Sequence, residues 1–218
     1  VEKFRRWGIM TKESQFMTAS YATCRYLKEH YKDKKLFALG TPSFVEELRS
    51  FGLAVTEQSE KDADCVVVGF DRTLSYEKVE TACELLFRPA VDFIGTNPDL
   101  KCPTAFGFVP DCGGICAMLT AAVARTPLYI GKPSAEIVTL CTKQVNAKPE
   151  EVLVVGDRLY TDIACGINAG VETALVYTGE AKEKDLADTV FMPDYTFENI
   201  EKLYQEFRKS REEAYYAF

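Results

Sequence analysis

Two aspartates five positions apart are the pair of residues in this chain best suited to chemistry. Asp157 follows a short apolar run, residues 152–155, and a glycine, whereas Asp162 falls where a helical pattern begins. Such a run of mostly β-branched residues predicts a strand buried on both faces, as in a parallel sheet. Ligands bind beyond the carboxyl ends of such strands, and two carboxylates meeting there suit a hard cation such as Mg²⁺. Taken alone, the pair is explained equally well by a strand end and an acid near a helix N-terminus.

A lysine is expected at the same edge of the sheet. Lys132 follows the apolar stretch 128–130, which predicts a strand, so two consecutive parallel strands would carry a cation and an acid to one edge. Charge on a transferring phosphoryl group is stabilised by Mg²⁺ and by a lysine or arginine. Lys132 near Asp157 therefore suggests phosphoryl transfer, whereas residue type alone favours a solvated surface lysine in a turn.

The elements that must hold these residues alternate between strands and helices along the chain. Apolar runs predict strands at 36–39, 65–68, 91–94, 128–130, 152–155 and 173–177. Apolar residues at spacings of three and four predict helices between the strands and a last helix at 197–207. Alternation of this kind is typical of an α/β fold with parallel sheets, which is the class we predict.

Length and charge exclude several kinds of partner. The 218 residues are enough for one large domain or two small ones. A formal net charge of −7 and a sequence pI near 5.0 argue against binding to nucleic acid or to anionic membrane surfaces. No apolar run in the sequence approaches the ~18 residues of a membrane helix.

The eight cysteines are scattered through apolar segments. Buried, reduced thiols are typical of intracellular proteins, so we predict a cytoplasmic protein. Cys112 and Cys116 form the one close pair in the sequence, but their spacing is neither the CxxC of redox sites nor a usual zinc pattern. We expect both to be buried thiols at the start of a helix.

Several short motifs follow one another in a recognisable order. Gly131-Lys132-Pro133 comes first, then Gly156-Asp157 with Asp162, then the Gly-Ile-Asn-Ala-Gly of residues 166–170. This order resembles the haloacid dehalogenase (HAD) superfamily of phosphatases, in its NagD-like, p-nitrophenylphosphatase branch. The first two motifs are similar to the third and fourth motifs of that family. Upstream, the large α/β cap of the family is resembled by residues 64–72, 96–99 and 109–114.

The resemblance implies a division into domains. The fold would be part of a Rossmann-like HAD core with a parallel sheet, carrying a large inserted α/β cap domain. Residues 1–16 would be a remnant of the N-terminal half of the core, residues 17–127 the cap, and residues 128–218 the C-terminal half of the core. A homodimer formed through the cap would suit the family.

The resemblance also implies a Mg²⁺-dependent phosphatase that acts on a small phosphorylated metabolite through an aspartyl-phosphate. Asp157 would hold Mg²⁺, and Asp162 would support the metal through water or a hydrogen bond. Lys132 would bind the phosphoryl oxygens and orient the nucleophile. Asn97 and Asp99 in the cap would help to select the substrate, although an ordinary turn explains these two residues equally well.

One family motif, the DxDGT whose first aspartate attacks phosphorus, is not found in this sequence. Asp62 and Asp64 have the DxD spacing but precede a predicted strand. Asp71 ends a strand, but Gly69 occupies the position that the nucleophile would need. We therefore expect the chain as given to be truncated before its nucleophile and inactive. The alternative is a non-catalytic HAD-like protein that binds a ligand or a partner, which the missing nucleophile also supports. A Rossmann nucleotide-binding domain is excluded, because the sequence has no GxGxxG after a predicted strand.

Overall fold

The computed structural model describes residues 1–60 and 62–216. The chain divides into two units, Val1–Gly131 and a second that begins at Lys132. This division falls slightly after the boundary expected at residue 128, because the strand Leu128–Tyr129 pairs with a strand of the first unit. Residues 1–16 group with the first unit, so their assignment to a catalytic core stays a prediction.

A five-stranded parallel sheet forms the centre of the first unit. Its strands are β1 (Lys35–Leu39), β2 (Ala54–Thr56), β3 (Cys65–Val68), β4 (Asp92–Gly95) and β7 (Leu128–Tyr129). They lie in the order β2-β1-β3-β4-β7, and each pairing is parallel. Every residue of β3 is buried, as its run of one cysteine and three valines predicts for a central parallel strand.

The described residues of the first unit form five α-helices, of which three begin at hydroxyl side chains. They are α1 (Glu2–Arg6), α2 (Ala19–His30), α3 (Pro42–Ser50), α4 (Tyr76–Leu86) and α5 (Cys112–Val123). Thr18, Thr41 and Ser75 accept backbone N–H groups in the first turns of α2, α3 and α4. Such N-caps contribute about 1 kcal/mol each.

A hairpin lies between β4 and α5 where the sequence suggests a loop. It consists of β5 (Lys101–Thr104) and β6 (Gly107–Pro110), paired antiparallel. Gly107 has a φ of +137°, a conformation that glycine adopts at low cost and that permits the tight connection. A two-stranded hairpin with two prolines has no clear alternation of apolar residues, so its pairing is not visible in the sequence.

The apolar core of the first unit packs the sheet against α4 and α5. Phe37, Val66, Leu85 and Leu119 are completely buried in it. Burial of each such side chain contributes about 1.5–3 kcal/mol relative to exposure. The core therefore fixes the carboxyl ends of β1 and β3, from which the loops of the first unit start.

A buried ion pair ties together the loops that follow β1 and β3. The carboxylate of Asp71 is fully buried and accepts a hydrogen bond from Nζ of Lys78 at 2.8 Å. It also accepts the backbone N–H and the hydroxyl of Thr73, both at 2.7 Å. Lys78 donates in addition to the carbonyl oxygen of Gly40 at 3.2 Å. Asp71 is thus a structural residue, in agreement with the sequence argument against it as a nucleophile.

The second unit contains a three-stranded parallel sheet. Its strands are β8 (Leu153–Gly156), β9 (Glu172–Val176) and β10 (Tyr195–Phe197), in the order β10-β9-β8. Its helices are α6 (Ala135–Val145), α7 (Ala164–Ala169) and α8 (Ile200–Tyr216). Gly170 ends α7 with a left-handed φ of +69°, as the sequence predicts. Across the described residues, no helix combines the length and hydropathy needed to cross a membrane.

Strand β8 lies where the sequence predicts it, but its predicted burial is wrong. Leu153 and Val155 are 40% and 39% exposed, whereas the apolar run suggests burial on both faces. The reason is that β8 pairs with β9 alone within the described part of the chain, so it is an edge strand. An apolar edge of this kind is a place where a further strand can pair.

Candidate active site

Lys132 and Asp162 form the closest ion pair of the second unit's described residues. Nζ of Lys132 lies 2.5 Å from Oδ1 of Asp162, with the lysine side chain 49% exposed and the aspartate side chain 11% exposed. The sequence argument that brings them together is wrong in one step, because Lys132 follows β7, which pairs with β4 and not with β8. The cation and the acid nevertheless meet.

Asp162 is presented by an unusual turn after β8. Leu159–Ile163 is a π-helical turn, a form often found at functional sites. The N–H groups of Asp162 and Ile163 both donate to the carbonyl oxygen of Arg158 at 3.1 Å. Oδ2 of Asp162 in return accepts the N–H groups of Asp157 at 3.3 Å and of Arg158 at 3.2 Å. Asp162 therefore connects Lys132 to the backbone at the end of β8.

Gly156 leaves the space that Asp162 occupies. A Cβ atom on Gly156 would lie 2.1 Å from Cβ and 2.4 Å from Cγ of Asp162. Contacts that short do not occur between real carbon atoms, so glycine is required for this close approach. The glycine before Asp157 thus has a physical role in the site: it admits the second acid.

Asp157 is held by the loop that follows β9. Its Oδ2 accepts the N–H of Glu180 at 2.8 Å, and its backbone carbonyl accepts the N–H of Ala181 at 3.0 Å. A Cβ on Gly179 would lie 1.9 Å from Oδ2, so this loop also needs glycine where it contacts the acid. Among the described residues, none donates a hydrogen bond to Oδ1 of Asp157, which leaves this oxygen available to a ligand.

The side chain of Glu180 fastens the same loop to the segment after β8. Nε of Arg158 lies 2.9 Å from Oε2 of Glu180, and the hydroxyl of Tyr160 donates to Oε1 at 2.7 Å. Sequence reasoning missed residues 179–181. Only their position gave a signal: Gly179 and Glu180 come shortly after the predicted strand 173–177 and so reach the same edge of a parallel sheet.

A thiol lies beside the acid but is not a nucleophile. Sγ of Cys165 is 3.1 Å from the carbonyl oxygen of Asp162. Burial raises the pKa of Cys165 to about 11; the positive charge of Lys132 opposes this rise, and the negative charge of Asp162 adds to it. The thiol therefore stays protonated near neutral pH and has a packing role.

The donor atoms fit a hard cation in part. Both oxygens of Asp162 are engaged by Lys132 and by backbone N–H groups, whereas Oδ1 of Asp157 is open. Over the ranges that the structure describes, no group of three or more His, Cys, Asp or Glu side chains could hold a metal. Mg²⁺ is commonly bound by one or two carboxylates plus waters and phosphate oxygens, so Asp157 would be the ligand that this unit contributes.

The two residues expected to select the substrate lie in the first unit, in the turn after β4. Nδ2 of Asn97 donates to Oδ2 of Asp99 at 3.0 Å, and the hydroxyl of Thr96 donates to Oδ1 of Asn97 at 2.9 Å. Asn97 also lines a cavity. A hydrogen-bonded turn and a binding loop remain compatible with this geometry, so the role of both residues stays a prediction.

The remaining aspartates and cysteines that the sequence singles out make structural contacts. Asp62 pairs with Lys35 at 2.7 Å, and Asp64 accepts the backbone N–H of Lys35 at 2.9 Å. Cys112 and Cys116 are buried free thiols with their sulfur atoms 3.9 Å apart. The DxD spacing is thus explained by ion pairs and hydrogen bonds at the start of β1 and β3.

Two family profiles match the chain. One, described as HAD-hydrolase-like, covers residues 129–203, and the other, described as haloacid dehalogenase-like hydrolase, covers residues 1–54. The 5′-nucleotidase YutF of Bacillus subtilis is 33% identical over 199 residues, which cover 91% of this chain and 76% of that protein. The chain belongs to the haloacid dehalogenase superfamily. Its place in the NagD-like branch is shown by the ribonucleotide monophosphatase NagD of Escherichia coli K12, which is 32% identical over 201 residues, 92% of this chain and 77% of NagD.

Solved structures of HAD phosphatases share this fold. The 4-nitrophenylphosphatase of Thermotoga maritima superimposes with a TM-score of 0.84 at 36% identity, covering 93% of this chain and 77% of that one. The p-nitrophenyl phosphatase of Archaeoglobus fulgidus gives a TM-score of 0.85 at 30% identity, with coverages of 94% and 79%. The α/β class with a parallel sheet is therefore confirmed, and by resemblance to these relatives the HAD chain is a phosphomonoester hydrolase.

Proposed function

We propose that this HAD protein hydrolyses phosphomonoesters of small metabolites in a Mg²⁺-dependent reaction, in the cytoplasm, where its eight cysteines stay reduced. The observation that carries the proposal is the contact between Lys132 and Asp162, 2.5 Å apart at the end of β8, next to the open Oδ1 of Asp157. A cation and a carboxylate that could hold Mg²⁺, brought together beside the end of β8, are groups that phosphoryl transfer requires.

Each residue has a distinct part in this proposal. Lys132 would bind the phosphoryl oxygens, and Asp162 would keep its ammonium group in place. Asp157 would hold Mg²⁺ through Oδ1, while the N–H of Glu180 fixes its other oxygen. Bound Mg²⁺ would neutralise charge on the phosphoryl oxygens. The loop 179–181 would keep the metal-binding carboxylate in one orientation.

The nucleophile is proposed to lie outside these 218 residues, in a segment with the DxDGT motif that the family resemblance implies. Its first aspartate would attack phosphorus to form an aspartyl-phosphate, and its second would protonate the leaving alcohol. Water would then hydrolyse the acyl phosphate to release inorganic phosphate and restore the aspartate. Support comes from Asp71, which has its carboxylate occupied by Lys78 and Thr73 and so is not free to attack.

The test compares Mg²⁺-dependent hydrolysis of p-nitrophenyl phosphate by three proteins. They are the 218-residue chain, a chain extended by the in-frame coding sequence upstream of Val1, and that extended chain with Asp157→Ala. We expect turnover by the extended chain alone, with a loss of at least ~10³-fold in the variant.

Two results would contradict the proposal in different ways. Robust turnover by the 218-residue chain would show that the nucleophile lies within it. No turnover by a well-folded extended chain carrying DxDGT, or an upstream sequence without that motif, would instead favour a non-catalytic protein that binds a ligand or a partner.

A further inference from the structure

The Gly-Ile-Asn-Ala-Gly motif, residues 166–170, forms the last four residues of α7 and the glycine that ends it. The left-handed φ of Gly170 explains that glycine. Asn168 needs a different explanation, because it is exposed and therefore is not part of the apolar core. Asparagine is also a poor helix former in comparison with alanine. Its presence in α7 therefore points to a use of its side chain.

The side chain of Asn168 holds the backbone directly after Lys132. Its Nδ2 donates to the carbonyl oxygen of Pro133 at 2.8 Å, across 35 positions of the sequence. The next residue, Ser134, is the N-cap of α6 and accepts the N–H of Glu136 at 3.2 Å. The short segment that carries Lys132 into α6 is thus attached to both α6 and α7.

The helical segment that contains Asn168 also holds the other end of Lys132. Asp162 lies in the π-helical turn that leads directly into α7, with its Oδ1 2.5 Å from Nζ of Lys132. Lys132 is therefore held at two points, its ammonium group by Asp162 and the main chain one residue later by Asn168. Because Asp162 and Asn168 belong to one continuous helical segment, they hold Lys132 as a unit.

This helical segment has a fixed position on the sheet of the second unit. A Cβ on Gly166 would lie 2.4 Å from Cγ2 of Thr173 in β9 and 3.1 Å from Cβ of Val154 in β8. Thr173 is completely buried and donates its hydroxyl and its N–H to Oδ2 of Asp194, at 2.9 and 2.8 Å. Glycine at position 166 thus lets α7 lie directly on β8 and β9, so the side chains of α7 start from a fixed base.

Lys132 needs a fixed main chain because its side chain is otherwise poorly restricted. The side chain is 49% exposed, and a lysine carries its charge on a flexible four-carbon stem. A partly exposed ion pair is a weak restraint on such a stem. Fixing the main chain next to the stem reduces the space that the ammonium group samples. An ammonium group that is already in position saves the entropy of ordering it when a phosphoryl group binds.

We propose that Asn168 is a positioning residue for Lys132. By holding the carbonyl oxygen of Pro133, it fixes the start of the lysine side chain and keeps the ammonium group beside Asp162. The positioning is a property of the second unit and can be measured without turnover. Its effect on catalysis rests on the phosphatase function proposed above.

The first measurement follows the side chain of Lys132 by NMR in the 218-residue chain with isotope-labelled lysine, the signal being assigned by its loss in Lys132→Met. Asn168→Ala removes the hydrogen-bond donor, and Ile167→Ala is the control, because Ile167 is an exposed residue of the same helix with an apolar side chain. We expect the Cε signal of Lys132 to shift and its order parameter to fall in Asn168→Ala, and neither to change in Ile167→Ala. Identical Lys132 signals in both variants would overturn the proposal.

The second measurement is a double-mutant cycle on kcat/KM for p-nitrophenyl phosphate in the extended chain. Asn168→Ala should lower kcat/KM about tenfold, the factor that corresponds to one neutral hydrogen bond. In a chain that already carries Lys132→Met, the same change should have no further effect, because Asn168 acts through Lys132. Equal losses in both backgrounds would show a general structural role and overturn the proposal. If the extended chain has no turnover, the phosphatase proposal fails, and the NMR comparison still decides whether Asn168 positions Lys132.

Discussion

Replacing Lys132 with methionine is expected to lower kcat/KM for a phosphomonoester about 10³-fold in the extended, catalytically competent chain. The ammonium group of Lys132 lies 2.5 Å from Asp162 and is the one cation that the described second unit places against this acid. Methionine retains most of the length of the side chain but removes the charge that would stabilise the phosphoryl oxygens. Stability should change by less than about 1 kcal/mol, because the lysine is half exposed.

The measurement is steady-state hydrolysis of p-nitrophenyl phosphate, with urea unfolding of the same proteins. Lys148→Met serves as the control, because Lys148 is an exposed lysine outside the site and should keep full activity. Lys132→Arg should recover only a small part of the loss, since a planar guanidinium does not reproduce the position of the ammonium. If Lys132→Met stays within tenfold of the unchanged protein, Lys132 does not contact the transferring phosphoryl group.

Replacing Gly156 with alanine is expected to destabilise the second unit by about 1–3 kcal/mol, the usual cost of forcing extra atoms into a packed site. The added methyl group would lie 2.1 Å from Cβ of Asp162, so the acid must move away from the end of β8. Lys132 would lose its contact with the carboxylate of Asp162 at the same time. We therefore expect a fall in turnover of about 10²-fold in addition to the loss of stability.

A second glycine separates the two effects of the Gly156 change. Gly170→Ala places a side chain at a φ of +69° with no atom within 4 Å of the new Cβ, so it costs about 1 kcal/mol through backbone strain alone. It should lower stability and leave turnover intact. Equal losses of turnover in the two variants would show that Gly156 acts through stability and not through the position of Asp162.

Local patterns predict much of the second unit. The apolar run before Gly156 places β8, and the left-handed Gly170 ends α7 where the sequence expects it. These features depend on a few neighbouring residues, so they are readable from the sequence. The sequence argument expects Lys132 near Asp157, and the structure pairs Lys132 with Asp162, the other acid of the same segment.

Features set by distant contacts could not be read in this way. The two-residue strand β7 pairs with β4, although its position before Lys132 suggests the same sheet as β8. The sequence overestimates the burial of β8, because apolar composition does not reveal how many strands lie beside it. The contacts of Gly179 and Glu180 with Asp157 were not predicted. They depend on the lack of a side chain at Gly179 and on the backbone N–H of Glu180, and residue types alone do not reveal such contacts.

The measurement that tests the central claim most directly is metal binding by Asp157 in the 218-residue chain. Mn²⁺ accepts the same oxygen ligands as Mg²⁺ and broadens nearby amide signals. We predict that broadening begins at Asp157, Glu180 and Ala181, is reversed by excess Mg²⁺, disappears in Asp157→Asn and persists in Asp188→Asn, an exposed acid outside the site. Broadening centred on another acidic group, or unchanged in Asp157→Asn, would contradict the assignment of Asp157 as the metal ligand.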